Sequence, residues 1–394
     1  MRAVDSGSDI TERGEAGEMT ERLQTDRMGR PMTFLIAGAA GFIGSHLTER
    51  LLSRGHTVVG VDSFITGSWR NLTSLLDHPR FILLEHDVVD PLEWDGPLDW
   101  ILHFASPASP PRYQQNPIQT LRSNAEGTYR LLELARAKRA RFLFASTSEV
   151  YGDPAQHPQR EDYWGNVNPV GARSMYDEAK RYGEAMVVNY HRARGLPVRV
   201  IRIFNTYGPR MRQDDGRVIV NFIGQALAGR PLTVYGDGTQ TRSFQFIDDL
   251  VEGVCRVLRT NYSQPINLGN PEECSMLELA KIVRELTGSD SLITYEPLPK
   301  DDPKRRRPDI SLASSILDWS PRSSLREGLA ATIRYFQALI GLDALRPEPA
   351  ASPGAGPIAG EELAQGAGGF PAARGHARGR NGSAWPARPR GSQT

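Results

Sequence analysis

The sequence predicts an α/β fold built on a doubly wound parallel sheet, and three observations support this. Over about the first 200 residues, short apolar runs alternate with stretches of helical periodicity. A glycine-rich turn separates the first apolar run from the first helical stretch, and an aspartate directly follows the second apolar run. Together these features are typical of a sheet that binds a ligand at the carboxyl ends of its strands.

The composition limits the classes of protein to be considered. A chain of 394 residues with 39% hydrophobic residues can form one large domain or two smaller ones. The formal net charge of +1 predicts neither a nucleic-acid partner nor an anionic membrane surface. Two cysteines make neither a disulfide framework nor a cysteine-rich metal site, so no metal is expected. Without a long apolar run or a signal-peptide core, a soluble cytoplasmic protein is expected.

The first motif lies between two apolar runs, residues 33–37 and 58–61. A strand, a glycine turn, a helix, a second strand and an acid form the βαβ fingerprint of dinucleotide binding. Asp62 lies 18 residues beyond Gly44, where a carboxylate binds both ribose hydroxyls and repels a 2′-phosphate, which favours NAD over NADP. The predicted cofactor contacts in this motif are Gly38, Gly41, Phe42, Ile43, Gly44 and Asp62.

Three further strands are predicted at residues 81–84, 100–104 and 141–145. Their carboxyl ends lie at the same sheet edge, so the residues that follow them are candidate ligand contacts. The additional cofactor contacts predicted there are Asp87, Val88, Phe104 and Ser106. A helix over residues 117–139 is predicted between the fourth and fifth strands. Its apolar side consists of Leu121, Leu131, Leu132 and Leu134.

The fifth strand leads into Thr147, Ser148 and Glu149, and a predicted helix begins at Tyr176. Tyr176 and Lys180 lie four residues apart, on one face of that helix. A lysine charge beside a phenol lowers the tyrosine pKa, so Tyr176 is a candidate acid or base near neutral pH. The spacing alone is a weak signal, because such pairs on helix surfaces are usually solvated. The predicted catalytic residues are Tyr176, Lys180, Thr147 and Glu149, and Tyr176 and Lys180 are also predicted to contact the cofactor.

The elements become shorter after the sixth predicted strand, residues 198–203. The complete prediction is a Rossmann-like doubly wound parallel sheet with a smaller C-terminal substrate-binding lobe, interleaved with the last sheet strands. The predicted segments are a disordered extension or regulatory arm (1–31), the mainly NAD-binding domain (32–204), the mainly substrate-binding lobe (205–342) and a disordered Pro/Gly/Ala/Arg-rich tail (343–394).

Long runs of the sequence carry a family resemblance that covers residues 33 to about 338. They are residues 104–111, 146–152, 161–171, 202–211, 215–218 and 301–309. With the glycine fingerprint and Tyr-x-x-x-Lys, they resemble the extended, nucleotide-sugar-modifying branch of the short-chain dehydrogenase/reductase superfamily. Within that branch the sequence is most similar to the UDP-glucuronate decarboxylase (UDP-xylose synthase) family.

The resemblance implies a reaction and a substrate site. UDP-glucuronate would be oxidised at C4 by bound NAD, lose its C5 carboxylate as CO2 and be reduced again to UDP-xylose. Glu149 would handle a proton or orient a neighbouring group; the sequence leaves both roles open. The substrate contacts implied by the resemblance are Tyr113, Arg122, Asn205, Arg217, Arg242 and Arg306. Without the resemblance, the basic run 304–307 is interpreted as a solvated surface patch or as a nucleic-acid contact.

Other hypotheses are compatible with the same framework. A nucleotide-sugar 4-epimerase or 4,6-dehydratase shares it, although Ser148 disfavours the dehydratase and Glu149 slightly disfavours the epimerase. A redox-sensing or RNA-binding protein on the same fold is the non-enzyme alternative. The resemblance also implies a homodimer, in which helices near residues 117–139 and 176–194 of two subunits form a four-helix bundle.

Overall fold

The structure is a computed structural model that describes residues 30–297 and 306–344. Seven strands form the central sheet: β1 (Thr33–Ala37), β2 (Thr57–Asp62), β3 (Phe81–Glu85), β4 (Trp100–His103), β5 (Arg141–Thr147), β6 (Val198–Ile203) and β11 (Pro265–Leu268). The remaining strands are β7 (Thr206–Tyr207), β8 (Leu232–Tyr235), β9 (Thr241–Ser243), β10 (Gln245–Phe246), β12 (Glu273–Ser275) and β13 (Ile293–Glu296).

The helices are α1 (Phe42–Ser53), α2 (Pro110–Gln115), α3 (Pro117–Lys138), α4 (Ser174–Arg194), α5 (Val218–Leu227), α6 (Ile247–Val257), α7 (Met276–Thr287), α8 (Ser311–Leu317) and α9 (Leu325–Ala344). Within residues 30–297 and 306–344, none of them combines the length and the hydropathy needed to cross a bilayer. The Ser275 hydroxyl accepts the Glu278 N–H at 3.1 Å and so caps the N-terminus of α7.

The central sheet has the strand order β11-β6-β5-β4-β1-β2-β3, and every neighbouring pair is parallel. The chain winds outward from β1 in one direction and from β4 in the other. The crevice therefore opens between the carboxyl ends of β1 and β4, where such sheets bind their ligands. This topology confirms the predicted fold class.

Alternate residues of the strands supply two separate cores, one on each face of the sheet. Phe34 and Ile36 of β1 belong to the core on the face covered by α1 and α6. Leu35 and Ala37 belong to the core on the face covered by α3 and α4. Because both faces are buried, the strands appear in the sequence as nearly continuous apolar runs.

A third core lies in the smaller lobe, among α5, α7 and α9. Two small sheets belong to this lobe: β13 pairs with β8 in parallel, and β12 pairs with β9 antiparallel. The chain returns to the main sheet as β11 before α7 begins. After residue 204 the chain therefore contributes to both the smaller lobe and the central sheet. The exact boundaries between the predicted segments stay a prediction.

Several local predictions differ from the structure. Leu121 was placed on the apolar side of its helix, but it is 38% exposed, whereas Leu131 and Leu132 are buried. Residues 110–111, which the sequence analysis assigned to no helix, begin α2, where proline occupies the first turn and no N–H is needed. The predicted tail begins at residue 343, but α9 extends to Ala344. The extension before residue 30, the tail after residue 344, and Lys304 and Arg305 lie outside the described residues.

Candidate active site

The glycine turn joins β1 to α1 and forms one wall of the crevice. Gly38 has φ +86°, and a Cβ there would lie 2.8 Å from the Ala105 nitrogen. A Cβ on Gly44 would collide with the Gly38 carbonyl oxygen. Both positions therefore require glycine, one for its backbone conformation and the other for close helix–strand packing.

Asp62 closes this turn from the end of β2. Its Oδ2 accepts the Ala40 N–H at 2.8 Å and its Oδ1 accepts the Phe64 N–H at 2.8 Å. Burial raises the pKa of Asp62, and these backbone hydrogen bonds oppose that shift. Asp62 thus braces the glycine turn in addition to facing the cleft.

One cleft, here called the glycine cleft, brings most of the predicted cofactor residues together. It is lined by Gly38, Gly41, Asp62, Asp87, Val88, Phe104 and Ser106, among others. The first turn of α1 has no side-chain cap, so its N–H groups are free to bind phosphate oxygens. Phe42 instead packs toward the cores, while Ile43 lines the neighbouring cavity. The close backbone approach at Gly38 and the acid beside it fit a dinucleotide.

A second cavity of about 210 Å³, the inner cavity, adjoins this cleft and contains all four predicted catalytic residues. β5 and the turn after it deliver Thr147 and Glu149 to this cavity, and the first two turns of α4 deliver Tyr176 and Lys180. Phe104 and Ser106 line both the cleft and the cavity. The glycine cleft and the inner cavity therefore adjoin at these two residues, so that a cofactor in the cleft would lie next to a substrate in the cavity.

The electrostatics of Tyr176 differ from the prediction. Burial raises the pKa of Tyr176 above its usual range, and a hydrogen bond with Thr147 offsets this only partly. The Lys180 ammonium donates to the Ala145 carbonyl at 2.8 Å and lies 5.9 Å from the Tyr176 ring centre. Burial lowers the pKa of Lys180 to about 7. The predicted fall in the tyrosine pKa is therefore corrected, because desolvation of the phenolate outweighs the charges around it.

Glu149 lies at the centre of an ion cluster with Arg173 and Arg306. Arg306 holds both carboxylate oxygens, with Nη2 at 2.9 Å from Oε2, and Arg173 Nη2 lies 2.6 Å from Oε2. Burial acts to raise the pKa of Glu149, but the two guanidiniums outweigh it and lower that pKa to about 2. Glu149 is therefore an anion in this structure, which favours an orienting role over proton transfer.

The predicted substrate residues are mostly close together. Tyr113 stacks on Tyr176 with ring centres 5.2 Å apart. Asn205, Arg217 and Arg242 line both the inner cavity and a wider outer cavity of about 600 Å³. The Tyr113 hydroxyl and Arg306 Nε are buried polar atoms of the inner cavity with no hydrogen-bond partner among the described residues. Such atoms are costly unless a ligand satisfies them.

Arg122 is not brought to any of these cavities. Its guanidinium lies on the outer side of α3, where Nη2 is 2.9 Å from the Glu126 carboxylate and the side chain is 45% exposed. Conversely, Arg173 escaped the sequence analysis although it contacts Glu149. The available signal was its position, three residues before Tyr176, at the start of the same helix.

The comparisons with known proteins agree with this architecture. The model of the "NAD dependent epimerase/dehydratase family" matches residues 34–269. The chain belongs to this family, and NAD is its cofactor. The described residues contain no group of three or more His, Cys, Asp or Glu side chains suited to a metal ion.

Individual relatives indicate which enzymes of this family the chain resembles. UDP-glucuronic acid decarboxylase 1 of Arabidopsis thaliana is 49% identical over 324 residues, which cover 82% of this chain and 74% of the relative. UDP-glucuronic acid decarboxylase 1 of Danio rerio is 54% identical over 302 residues, covering 77% and 72%. Among solved structures, a UDP-glucuronic acid 4-epimerase from Bacillus cereus, in complex with UDP-glucuronic acid and NAD, is 32% identical with a TM-score of 0.70. It covers 78% of this chain and 100% of its own.

Proposed function

We propose that this protein is an NAD-dependent carboxy-lyase that converts UDP-glucuronate to UDP-xylose. Curated relatives that share about half of their residues with it are UDP-glucuronic acid decarboxylases. The observation that carries the proposal is that two guanidiniums, those of the half-buried Arg173 and the buried Arg306, enter the cavity of Tyr176, where Arg306 keeps an unpartnered Nε. Arginine suits a carboxylate or a diphosphate because its fork binds two oxygens at once.

When held in the glycine cleft beside Gly38, Gly41 and Asp62, NAD would supply the hydride acceptor for C4 of the sugar and the hydride for the later reduction. Tyr176 accepts the proton of the C4 hydroxyl and later gives it back to the same oxygen. Because burial raises the pKa of Tyr176, its ionisation needs positive charge nearby. The Arg217 guanidinium lowers that pKa, and the Lys180 amino group lies 5.9 Å from the Tyr176 ring centre.

The intermediate step releases CO2. Oxidation at C4 places a ketone β to the C5 carboxylate, so the electrons of the breaking C–C bond move into an enolate. Hydroxyl groups of Thr147 and Tyr176 lie in the inner cavity and can hydrogen-bond the enolate oxygen, which stabilises the developing charge. Asn205, Arg217 and Arg242 connect this step to the outer cavity, which has room for the uridine diphosphate.

The direct test is incubation with UDP-glucuronate and NAD, followed by measurement of CO2 and of the nucleotide-sugar product. Release of CO2 with a UDP-pentose supports the proposal. Conversion of UDP-glucuronate to its C4 epimer without CO2 would instead identify an epimerase. The proposal would also be refuted if the protein did not convert UDP-glucuronate but did convert UDP-glucose or UDP-galactose. Tyr176→Phe should abolish turnover yet retain NAD binding.

We further propose a homodimer joined by α3 and α4 of each subunit. These helices pack against each other and expose large apolar side chains on their outer sides. Ile118 is 65% exposed, Tyr129 50% and Tyr182 52%. A second copy would cover these side chains symmetrically. Sedimentation analysis should give a dimer, and Tyr129→Glu should shift it toward monomer, whereas Tyr295→Glu, at an exposed position of β13 that is 56% exposed, should leave the dimer intact.

A cytoplasmic location is also proposed. Cys255 and Cys274 are both free and buried, as is usual where thiols stay reduced. Fractionation of cells that express the full chain would test the location.

A further inference from the structure

A third cavity, here called the side cavity, lies on the opposite side of the ion cluster from Tyr176. It has a volume of about 240 Å³. Glu149 and Arg173 line both the inner and the side cavity, so they form a shared wall. The remaining lining is mainly polar or glycine: Gly152, Asp153, Asn166, Val167, Asn168, Gly171, Ala172 and Asp177. A polar space of this size can hold several water molecules.

Asp177 is the buried acid of the side cavity, and the mechanism above does not use it. Its exposed fraction is 6%, and Oδ1 accepts no hydrogen bond from the residues that the structure describes. Oδ2 lies 3.9 Å from Arg173 Nε, too far for a hydrogen bond. A buried carboxylate with unmet acceptors is costly as an anion, so this position favours a carboxyl group that can hold a proton.

The charges facing Asp177 come from three segments. Glu149 approaches from the turn after β5, Arg173 from the start of α4 and Arg306 from the segment before α8, while Glu178 is its own neighbour. Burial, and then the Glu149 charge, raise the pKa of Asp177 to about 7 against the two arginines. The cluster therefore changes its proton content in the neutral range.

The proposed reaction requires one proton that Tyr176 cannot supply. Decarboxylation replaces the C5–carboxylate bond with a C5–H bond, so one proton is consumed for each CO2 released. The proton that Tyr176 takes from the C4 hydroxyl must return to that oxygen when the ketone is reduced. Glu149 carries no proton near neutral pH, since its pKa is about 2. Another group has to store the proton for C5.

Binding of the substrate carboxylate explains why this proton would be stored before CO2 is released. Before binding, two guanidiniums face the two carboxylates of Glu149 and Asp177. UDP-glucuronate adds a third carboxylate to the inner cavity, and three anions beside two cations favour uptake of a proton. Loss of neutral CO2 moves that third charge into the enolate, which then takes the stored proton at C5.

We propose that Asp177 takes up one proton when the carboxylate of UDP-glucuronate binds, and that water carries this proton from the side cavity to C5 of the enolate, with the Glu149 carboxylate orienting that water. The O–H bond of Asp177 breaks as the C5–H bond forms, and Asp177 returns to a carboxylate beside Arg173. Solvent in the side cavity reloads it. This inference rests on the proposed decarboxylation and makes Asp177 a positioning residue for the proton.

The test measures protons directly, in a Tyr176→Phe background that binds without turnover. Titration calorimetry in two buffers of different ionisation enthalpy counts the protons taken up on binding, at a pH about one unit above the Asp177 pKa. UDP-glucuronate should take up close to one proton in this background, and close to none after Asp177→Asn. UDP-xylose, which lacks the carboxylate, should take up none in either protein.

Turnover gives the second readout. Asp177→Asn should lower kcat by roughly 10²-fold with little change in KM, and the reduced cofactor should accumulate during turnover. Asp177→Glu should restore part of the rate. Asp162→Asn is the matched control, because that aspartate is exposed on the surface and should leave both readouts unchanged.

Two outcomes overturn the proposal: equal proton uptake with UDP-glucuronate and UDP-xylose, or uptake that survives Asp177→Asn. The first comparison needs no Asp177 variant, so it holds even if that variant fails to fold. Failure of the proposed function would look different, because the unmodified enzyme would then release no CO2.

Discussion

The glycine cleft and the ion cluster are both needed at the active site, but they are built in opposite ways. One wall of the cleft comes from a continuous segment, residues 38–62, in which Asp62 braces the backbone turn. The ion cluster joins Glu149, Arg173 and Arg306, which come from three separate parts of the chain. The cleft depends on shape, whereas the cluster depends on the balance of buried charges.

The largest effect is expected from a variant that removes one cation from the ion cluster. Arg306→Met should lower the free energy of unfolding by about 3 kcal/mol, because a buried carboxylate loses its bidentate partner. The pKa of Glu149 is lowered from 4.5 to about 2, so the pair's contribution is full above pH 4.5 and is lost as pH falls toward 2. Urea unfolding across this range should show that loss in the parent and a weaker pH dependence in the variant.

Arg326→Met is the matched control for that prediction. Arg326 also holds a carboxylate, that of Glu285 at 2.7 Å, but both side chains are more than half exposed. Its removal should change stability little. If the two variants lose equal stability, burial does not distinguish the ion cluster from a surface pair.

The next effect tests shape in the cleft. Gly44→Ala should cost about 2 kcal/mol and weaken NAD binding, since the added Cβ collides with the Gly38 carbonyl. Gly224→Ala, also inside a helix but with open space around it, should be neutral or stabilise by up to about 1 kcal/mol. Thermal melts and NAD titrations of both variants provide the comparison, and a tolerated Gly44→Ala would contradict it.

A smaller effect is expected from the charge in the cleft. Asp62→Asn should raise the Kd for NAD by about tenfold and reduce the preference over NADP, because an amide binds the ribose hydroxyls more weakly. Asp99→Asn is a suitable control, since Asp99 accepts the Thr33 N–H at 2.9 Å at the opposite end of β1. Fluorescence titration with both cofactors measures the difference, and unchanged NAD affinity would exclude the ribose role of Asp62.

The smallest effect concerns the Tyr113 hydroxyl. Tyr113→Phe should alter stability by less than about 0.5 kcal/mol, because that hydroxyl has no hydrogen-bond partner among the described residues. KM for UDP-glucuronate should rise if the hydroxyl contacts the substrate. Tyr151→Phe should instead cost about 1 kcal/mol, since the Tyr151 hydroxyl donates to Asn267 at 2.8 Å. Equal stability losses in the two variants would contradict the partner assignment.

Much of the cleft and most strands of the sheet could be predicted, because their signals are local. Apolar runs in the sequence located the first six strands of the central sheet, and the glycine spacing located the turn. Leu121 shows the limit of periodicity: an apolar residue at a helical position can still face outward, since only the packed neighbours decide which side is covered.

The sequence by itself determined the fold class, the cofactor turn and the segment that carries Tyr176 and Lys180. Each of these depends on residues that are near one another along the chain. Only the tertiary structure decided the protonation of Tyr176, the anionic state of Glu149 and the position of Asp177 in the side cavity. Those properties depend on burial and on charges brought from distant segments, because a pKa responds to desolvation and to neighbouring charges that sequence spacing does not contain.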